Sequence, residues 1–301
     1  MKTTKTGIDP LGVRKAVIPV AGMGTRLLPL TKSQPKEMLP VVDKPAIQYV
    51  VEEAIAAGIE SVLMVTGRSK RAIEDYFDHS VELEQDLEAH GKLEELAAIR
   101  RISNLAQVYY VRQKMPRGLG DAILQARAYV DGEEFAVLLA DDIIEAPVPC
   151  LVQMQQVARR FPGMVVAVMQ VPREETGSYG IIEGTAVAPG VWEVSGLVEK
   201  PDPADAPTNL AIVGRYILAP GIFEAIEQTR PGHNGEVQLT DALQAMLPFK
   251  KVYACEFKGT RYDIGTQMGL LKANIALALK RPDLSADLRQ FLSETLEAIF
   301  D

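Results

Sequence analysis

Short apolar runs recur along the chain at intervals that leave room for a helix between them. "KAVIPVA", "SVLMVTG", "VYYVRQ", "FAVLLAD", "MVVAVMQV", "AIVGRYIL" and "KVYACEF" are short and mostly rich in β-branched or aromatic residues, which predicts buried strands. Between the early ones the apolar period changes. In "KPAIQYVVEEAIAAG", Ile47, Val50, Val51, Ala54 and Ile55 fall on one helical face, with Pro45 suited to the first turn and Gly58 to the residue past the end. "GLGDAILQARAYV" repeats the pattern through Ile123, Ala126 and Val130. Strand alternating with helix predicts an α/β fold, a mostly parallel sheet with helices on both faces.

The texture changes after about Pro172. "SYGIIEG", "GVWEVSGLVEKP" and "NLAIVGRYIL" are short strands separated by Gly and Pro, which predicts hairpins joining the sheet. The tail, "TQMGLLKANIALALK" and "LSADLRQFLSETLEAIF", has helical period. "HSVELEQDLEAHGKLEELAAIRRI" is a charged helical stretch that reads as a solvated face or a surface insertion. No internal repeat or low-complexity tract interrupts the chain.

Composition changes this picture little. With 301 residues, 47% hydrophobic and 24% charged, the chain is of the soluble globular class. A net charge of -8 argues against a dedicated nucleic-acid binder, yet a few local cations suffice to hold a small phosphate. The polar start "MKTTKTGIDPLGVRK" lacks an apolar signal core, and no run approaches the roughly 18 apolar residues of a membrane span. Cys150 and Cys255 have no metal-type spacing. The expectation is a cytoplasmic protein with reduced thiols and neither membrane nor nucleic-acid partners.

Candidate chemistry starts at "AVIPVAGMGTRLLPLTKSQPKEMLP". A strand breaks into Gly22 and Gly24, and Arg26 and Lys36 follow. The glycines alone fit a plain tight turn as well as a phosphate loop. Two cations around one glycine loop favour a polyphosphate. The GK[ST] ending of a Walker loop is absent, and Leu27 stands where a dinucleotide fingerprint needs its third glycine.

Asp141 in "LLADDII" ends a buried strand, where α/β sheets place their ligands; it suits either a Mg²⁺ ligand or a turn or cap. Asp263 in "GTRYDIG" has the same two readings, the cap being for a helix beginning near Thr266. Glu199 and Lys200 in "LVEKPD" reach one ligand only if their strand ends or bends there. In "RQKMPRGLGDAI", Gly118 and Gly120 open a helix and Gln113 offers an amide able to read a base edge. His79, His90 and His233 are scattered, and neither HExxH nor G-x-S-x-G occurs.

Taken in order, "VIPVAGMGTRLLPLTKSQPKEMLPVVDKPAIQYVVEEAIAAGI", "VRQ…GLGDAI", "LLADDI", "SYGIIE", "LVEKP", "IVGRYIL", "GEVQLTDAL" and "YDIG" resemble the sugar-phosphate nucleotidyltransferases from about Arg14 to about Ala278. Within that family the likeness is to the branch that joins UTP to glucose 1-phosphate. It implies a Rossmann-like three-layer α/β/α sandwich with a mixed, mostly parallel central sheet, in one domain spanning 1–301. About 14–172 would form the nucleotide-binding half, about 173–265 the sugar-binding half, and about 266–301 the C-terminal helices.

The resemblance also implies roles. Ala21, Gly22, Met23, Gly24 and Thr25 would cradle the triphosphate, with Arg26 and Lys36 as its clamp. Glu37, Gln113 and Gly118 would hold the uracil, and Asp141 and Asp263 the Mg²⁺. Gly180, Glu199, Val213 and Gly214 would line the glucose site, and Lys200 would grip the sugar phosphate. The substrates would be UTP and glucose 1-phosphate, the products UDP-glucose and pyrophosphate, and the assembly a homodimer or homotetramer. The chain departs from the family pattern at Asp121, where histidine is more usual. Two other readings stand beside this one: a thymidylyltransferase using dTTP, and a non-catalytic regulatory paralogue that binds sugar nucleotides. "PKEMLP" and "GLGDAI" favour the uridylyl branch, and the presence of Arg26, Lys36, Asp141, Lys200 and Asp263 together favours an active enzyme.

Overall fold

A computed structural model describes residues 12–232 and 235–300. The polar stretch before residue 12 and His233 lie outside the described residues. The strands follow the apolar runs. The first half carries β1 (Lys15–Pro19), β2 (Pro40–Val41), β3 (Lys44–Pro45), β4 (Ser61–Thr66), β5 (Gln107–Arg112), β6 (Phe135–Leu138) and β7 (Asp142–Glu145). The second carries β8 (Met164–Gln170), β9 (Gly180–Ala188), β10 (Val191–Glu199), β11 (Leu210–Leu218), β12 (Val252–Glu256) and β13 (Thr260–Asp263). The helices interleaved with them are α1 (Ala46–Ala56), α2 (Arg71–Phe77), α3 (Val81–Ala89), α4 (Leu93–Ser103), α5 (Leu119–Leu124), α6 (Arg127–Val130) and α7 (Cys150–Arg160). They continue with α8 (Ile222–Gln228), α9 (Leu239–Met246), α10 (Gln267–Ala278) and α11 (Ser285–Phe300).

Nine strands form one sheet in the order β5-β4-β1-β6-β11-β8-β12-β10-β9. The pairings make β5, β4, β1 and β6 mutually parallel; β11 and β10 run against their neighbours. Seven strands therefore share one direction, and the mixed, mostly parallel sheet implied by the resemblance is what forms. The segments after Pro172 enter as antiparallel partners: β9 and β10 form a hairpin, and β11 inserts between β6 and β8.

Alternation along the strands builds two cores, one per face. Ala16 and Ile18 of β1 pack with Ile47, Val50, Val51 and Ala54 of α1, and with α7, on one side. Val17 between them packs on the other side with residues of α5, α6, α8 and α9. That is the period-2 rule at work, and it gives the three layers. Helix α1 begins just after Pro45, and Gly58 beyond its end takes φ +85°, a value few side chains tolerate. The single helical period of "GLGDAILQARAYV" is split into α5 and α6, because Gln125 N and Ala126 N bond back three residues instead of four. The charged stretch forms α3 and α4, mostly exposed. No helix among the described residues is long and apolar enough to cross a membrane.

Two features aim the chain at the site. Strand β11 loses its regular register to β8 between Ile212 and Tyr216, which throws Val213, Gly214 and Arg215 out of the ordinary pleat. And β7 leaves the main sheet to pair antiparallel with β13, setting Asp142 opposite Asp263.

Candidate active site

β1 continues past its end through Val20 N, which donates to Val65 O at 2.9 Å, and then the chain turns out of the sheet. Gly24 takes φ +68°, and a Cβ there would meet Thr31 at 3.2 Å, so the turn needs glycine. Thr31 Oγ1 donates to Gly24 O at 2.7 Å and fixes the loop. Ala21, Gly22, Met23 and Thr25 complete its rim, with Met23 largely exposed.

The loop forms one wall of a cavity of about 940 Å³. All the candidate residues line it: Arg26, Lys36 and Glu37 with the loop, and Gln113, Gly118, Gly180, Glu199, Lys200, Val213, Gly214, Asp141 and Asp263. Residues far apart in sequence are thus brought to the edge where β1 and β6 end, as expected for an open α/β sheet.

Asp141 lies in the connection from β6 to β7. Its Oδ2 accepts from Lys36 Nζ at 2.5 Å and lies 3.7 Å from Arg26 Nη2. Burial opposes the charge on Asp141, but the Lys36 ammonium, its hydrogen bond and Arg26 outweigh it and hold the carboxyl below its usual range. Burial likewise opposes the charge on Lys36, and Asp141 and Glu37 together more than offset it, so its pKa is raised. The pair is ionised at neutral pH.

Asp263 is not the helix cap. Thr266 takes that place, its side chain accepting from Gly269 N, while Asp263 Oδ1 accepts from Gly265 N at 2.9 Å. A Cβ on Gly265 would come within 2.9 Å of Asp263 Oδ1, 3.1 Å of Asp141 Oδ2 and 2.8 Å of Arg26 Nη2. The two carboxylates therefore face one small space that only glycine leaves open. Among the described residues no group of three or more His, Cys, Asp or Glu could hold a metal, so the protein offers an ion here two carboxylates and leaves its other positions to water or a ligand. That donor set fits Mg²⁺, which is commonly bound by one or two carboxylates plus phosphate oxygens.

The neighbouring acid is engaged elsewhere. Asp142 Oδ1 accepts from Arg261 Nε at 2.7 Å and Oδ2 from Gly214 N at 2.9 Å. A Cβ on Gly214 would collide with Asp142 Oδ2 at 2.5 Å and Leu139 Cβ at 2.6 Å, so the close approach depends on glycine. Arg215, fully buried, donates to Glu53 Oε2 and to the carbonyls of Leu139, Gly214 and Asp142. Its guanidinium thus grips the backbone on both sides of Asp141.

Beside Lys36, Glu37 is 1% exposed and its Oε2 accepts from Lys70 Nζ at 2.7 Å, while Oε1 has no partner. Burial raises its pKa despite the lysines. Elsewhere on the wall Glu199 Oε2 accepts from Thr240 Oγ1 at 2.7 Å, and its Oε1 lies 3.2 Å from Lys200 Nζ. Lys200 takes φ +45°, a left-handed turn that ends β10 and lets both side chains face the cavity. The condition set by the strand geometry is met by this bend.

Sequence reading passed over Lys70, Arg215, Thr240 and Arg261. A lone arginine inside the apolar run "AIVGRYIL" was a usable signal for Arg215. Lys70 and Arg261 carry no comparable mark.

The sequence profile of the nucleotidyl transferase family matches residues 15–279. A UTP–glucose-1-phosphate uridylyltransferase of Bacillus subtilis is 48% identical over 284 residues, covering 94% of this chain and 97% of that protein. One from Streptococcus pneumoniae is also 48% identical, over 93% of this chain and 95% of its own. Among solved structures, a UDP-glucose pyrophosphorylase complexed with UDP-glucose matches with a TM-score of 0.81 and 46% identity, over 89% of this chain and 100% of that one. A UTP-bound UGPase from Acinetobacter baumannii matches with a TM-score of 0.87 and 40% identity, over 94% and 99% of the two chains. With relatives nearly half identical from end to end and a profile match across most of its length, this chain belongs to the nucleotidyl transferase family.

Proposed function

We propose that the protein transfers uridylyl from UTP to glucose 1-phosphate, giving UDP-glucose and pyrophosphate. The carrying observation is one cavity lined together by a glycine loop, the cations Arg26 and Lys36, the Glu199–Lys200 pair and the carboxylates of Asp141 and Asp263. The names of its relatives and the ligands of the matched structures support the same reading.

The reaction needs no protein nucleophile. A phosphate oxygen of glucose 1-phosphate, already anionic, bonds to the α-phosphorus of UTP. The bond from that phosphorus to the β-phosphate bridging oxygen breaks, and pyrophosphate leaves with the electron pair. Two polyanions must meet in line, so positioning and charge neutralisation supply the catalysis. Arg26 and Lys36 lie on the loop side and counter the leaving pyrophosphate, while backbone N–H groups of residues 21–25 receive phosphate oxygens. Gln113 and Gly118 receive the uracil; Glu37, whose carboxylate is sealed and held by Lys70, supports that wall from inside. Gly180, Glu199, Val213 and Gly214 shape the glucose pocket, and Lys200 holds the attacking phosphate. Asp141 and Asp263 would hold a divalent ion, Mg²⁺ in this reading, which when bound neutralises phosphate charge around the reacting phosphorus.

In this assignment the nucleotide half spans about 14–172, the sugar half about 173–265, and the helices about 266–301 support assembly. Phe291, Leu296 and Ile299 of α11 are exposed apolar side chains that a homodimer or homotetramer would cover. Buried free thiols at Cys150 and Cys255 suit a cytoplasmic location.

The deciding experiment measures pyrophosphate release with glucose 1-phosphate and Mg²⁺, offering UTP and dTTP separately. Strong release with UTP and little with dTTP is expected. A dTTP preference overturns the base assignment, and silence with both from folded protein overturns the reaction. Replacing Lys200 by Ala is expected to lower turnover roughly 10²–10³-fold, the scale of losing one transition-state donor. Steady-state kinetics check this, and near-normal turnover would remove Lys200 from the reaction.

A further inference from the structure

Gln113 follows β5, and its backbone N donates to Thr66 O at 2.8 Å, which fixes the residue beside the end of β4. Its side chain is 7% exposed and reaches the cavity wall. The amide Nε2 donates to Asp121 Oδ2 at 2.6 Å and to Gly118 O at 3.3 Å. A carboxylate oxygen and a carbonyl oxygen both accept, so the end of the amide that meets them must be its NH₂. Both amide protons are thereby engaged. No group among the described residues donates to Oε1, and that oxygen is not among the sealed, unpartnered atoms of the structure, as Glu37 Oε1 is. What Gln113 presents to a ligand is an acceptor.

We propose that Asp121 is a positioning residue that sets how the site reads a base. By holding the Gln113 amide with its oxygen toward the cavity, it selects a pyrimidine whose ring N3 donates, as in uracil, over one whose N3 accepts, as in cytosine. This rests on the nucleotide assignment made under Proposed function. A cytosine N3 set against Oε1 brings two lone pairs together and leaves both without a partner, which is how a polar site rejects a near-isostere. Thymine has the same N3–H, so this device separates uracil from cytosine and leaves the methyl group to other contacts.

Asp121 sits in the first turn of α5, and its own backbone carbonyl accepts from Gln125 Nε2 at 3.1 Å. Replacing it with Ala removes this acceptor and leaves the Gln113 NH₂ only the longer bond to Gly118 O, so the amide can turn its NH₂ toward the base. The test compares UTP and CTP on the wild type, Asp121→Ala and Asp121→Asn, by calorimetric binding of each nucleotide and by pyrophosphate release. The wild type is expected to favour UTP. In Asp121→Ala the UTP:CTP ratio is expected to fall roughly tenfold, the scale of one neutral hydrogen bond, mainly through KM and Kd with kcat less affected. Asp121→Asn, whose Oδ1 can still accept from Gln113, is expected to retain most of the preference. Should Asp121→Ala fail to fold, Asp121→Leu removes the same acceptor and carries the same expectation.

A purely structural role for Asp121 would depress both nucleotides equally; an unchanged ratio overturns the proposal, as does a wild type that binds CTP as well as UTP. Wild-type protein that binds UTP without releasing pyrophosphate overturns the proposed reaction instead, and the binding ratio still decides the role of Asp121. Protein that binds neither nucleotide overturns both.

Discussion

Replacing Asp141 by Asn is expected to lower turnover by at least roughly 10³-fold, the upper end of what one transition-state contact supplies. The expected loss is large because Asp141 does two things. Its Oδ2 faces the space in front of Gly265 that Asp263 and Arg26 also border, where the divalent ion would sit. The same oxygen holds Lys36 at 2.5 Å and lies 3.7 Å from Arg26, so it sets where both cations stand. Asn keeps the shape and can still accept from Lys36, so the fold survives and the loss is chemical. Pyrophosphate release across a Mg²⁺ titration checks it, alongside calorimetric titration of the ion in the presence of UTP. Unchanged affinity for the ion together with near-normal turnover would remove Asp141 from the site.

Arg215→Met carries the largest expected effect on stability. Arg215 is fully buried, and its partner Glu53 is 7% exposed in its side chain. Removing one member of such a pair leaves a buried charge, here with the carbonyls of Leu139, Gly214 and Asp142 also losing their donor. The expected cost is about 3–5 kcal/mol, seen as a fall in Tm of roughly 10 °C. Thermal denaturation measures it directly. Adding Glu53→Leu removes the stranded carboxylate and is expected to restore part of the loss, because apolar replacements of a buried pair are often tolerated. A shift of a degree or two in the single variant would show that this network contributes little.

The strands and the helix faces were legible because each depends on local period, which a single segment displays in full; of the hairpins expected after Pro172 only β9–β10 forms, and "NLAIVGRYIL" crosses instead to the middle of the sheet as β11. Val17 between Ala16 and Ile18 announces a two-sided strand without reference to anything else. The gathering of the site was legible only through the family likeness. Asp141 and Asp263 are unremarkable acids in sequence, and what joins them is the pairing of β7 with β13, a contact between segments more than a hundred residues apart. No local pattern encodes such a register. Strand geometry requires a bend at Lys200 if both side chains are to reach one ligand, but the left-handed dihedral that meets it belongs to a residue type that rarely adopts one. Lys70 was missed for a similar reason. A lysine in a loop looks solvated until the fold buries Glu37 against it.

The ribbon of β7 and β13 also bears on how the chain is made. Arg26, Lys36, Asp141 and Lys200 all precede residue 201, whereas Asp263 arrives on one of the last strands. A nascent chain emerging from the ribosome therefore carries the glycine loop, Arg26, Lys36 and Lys200 well before it has Asp263. Until β13 is translated and docked against β7, Asp263 cannot take its place opposite Asp142 or border the space it shares with Asp141, so that space is among the last parts of the molecule to be finished.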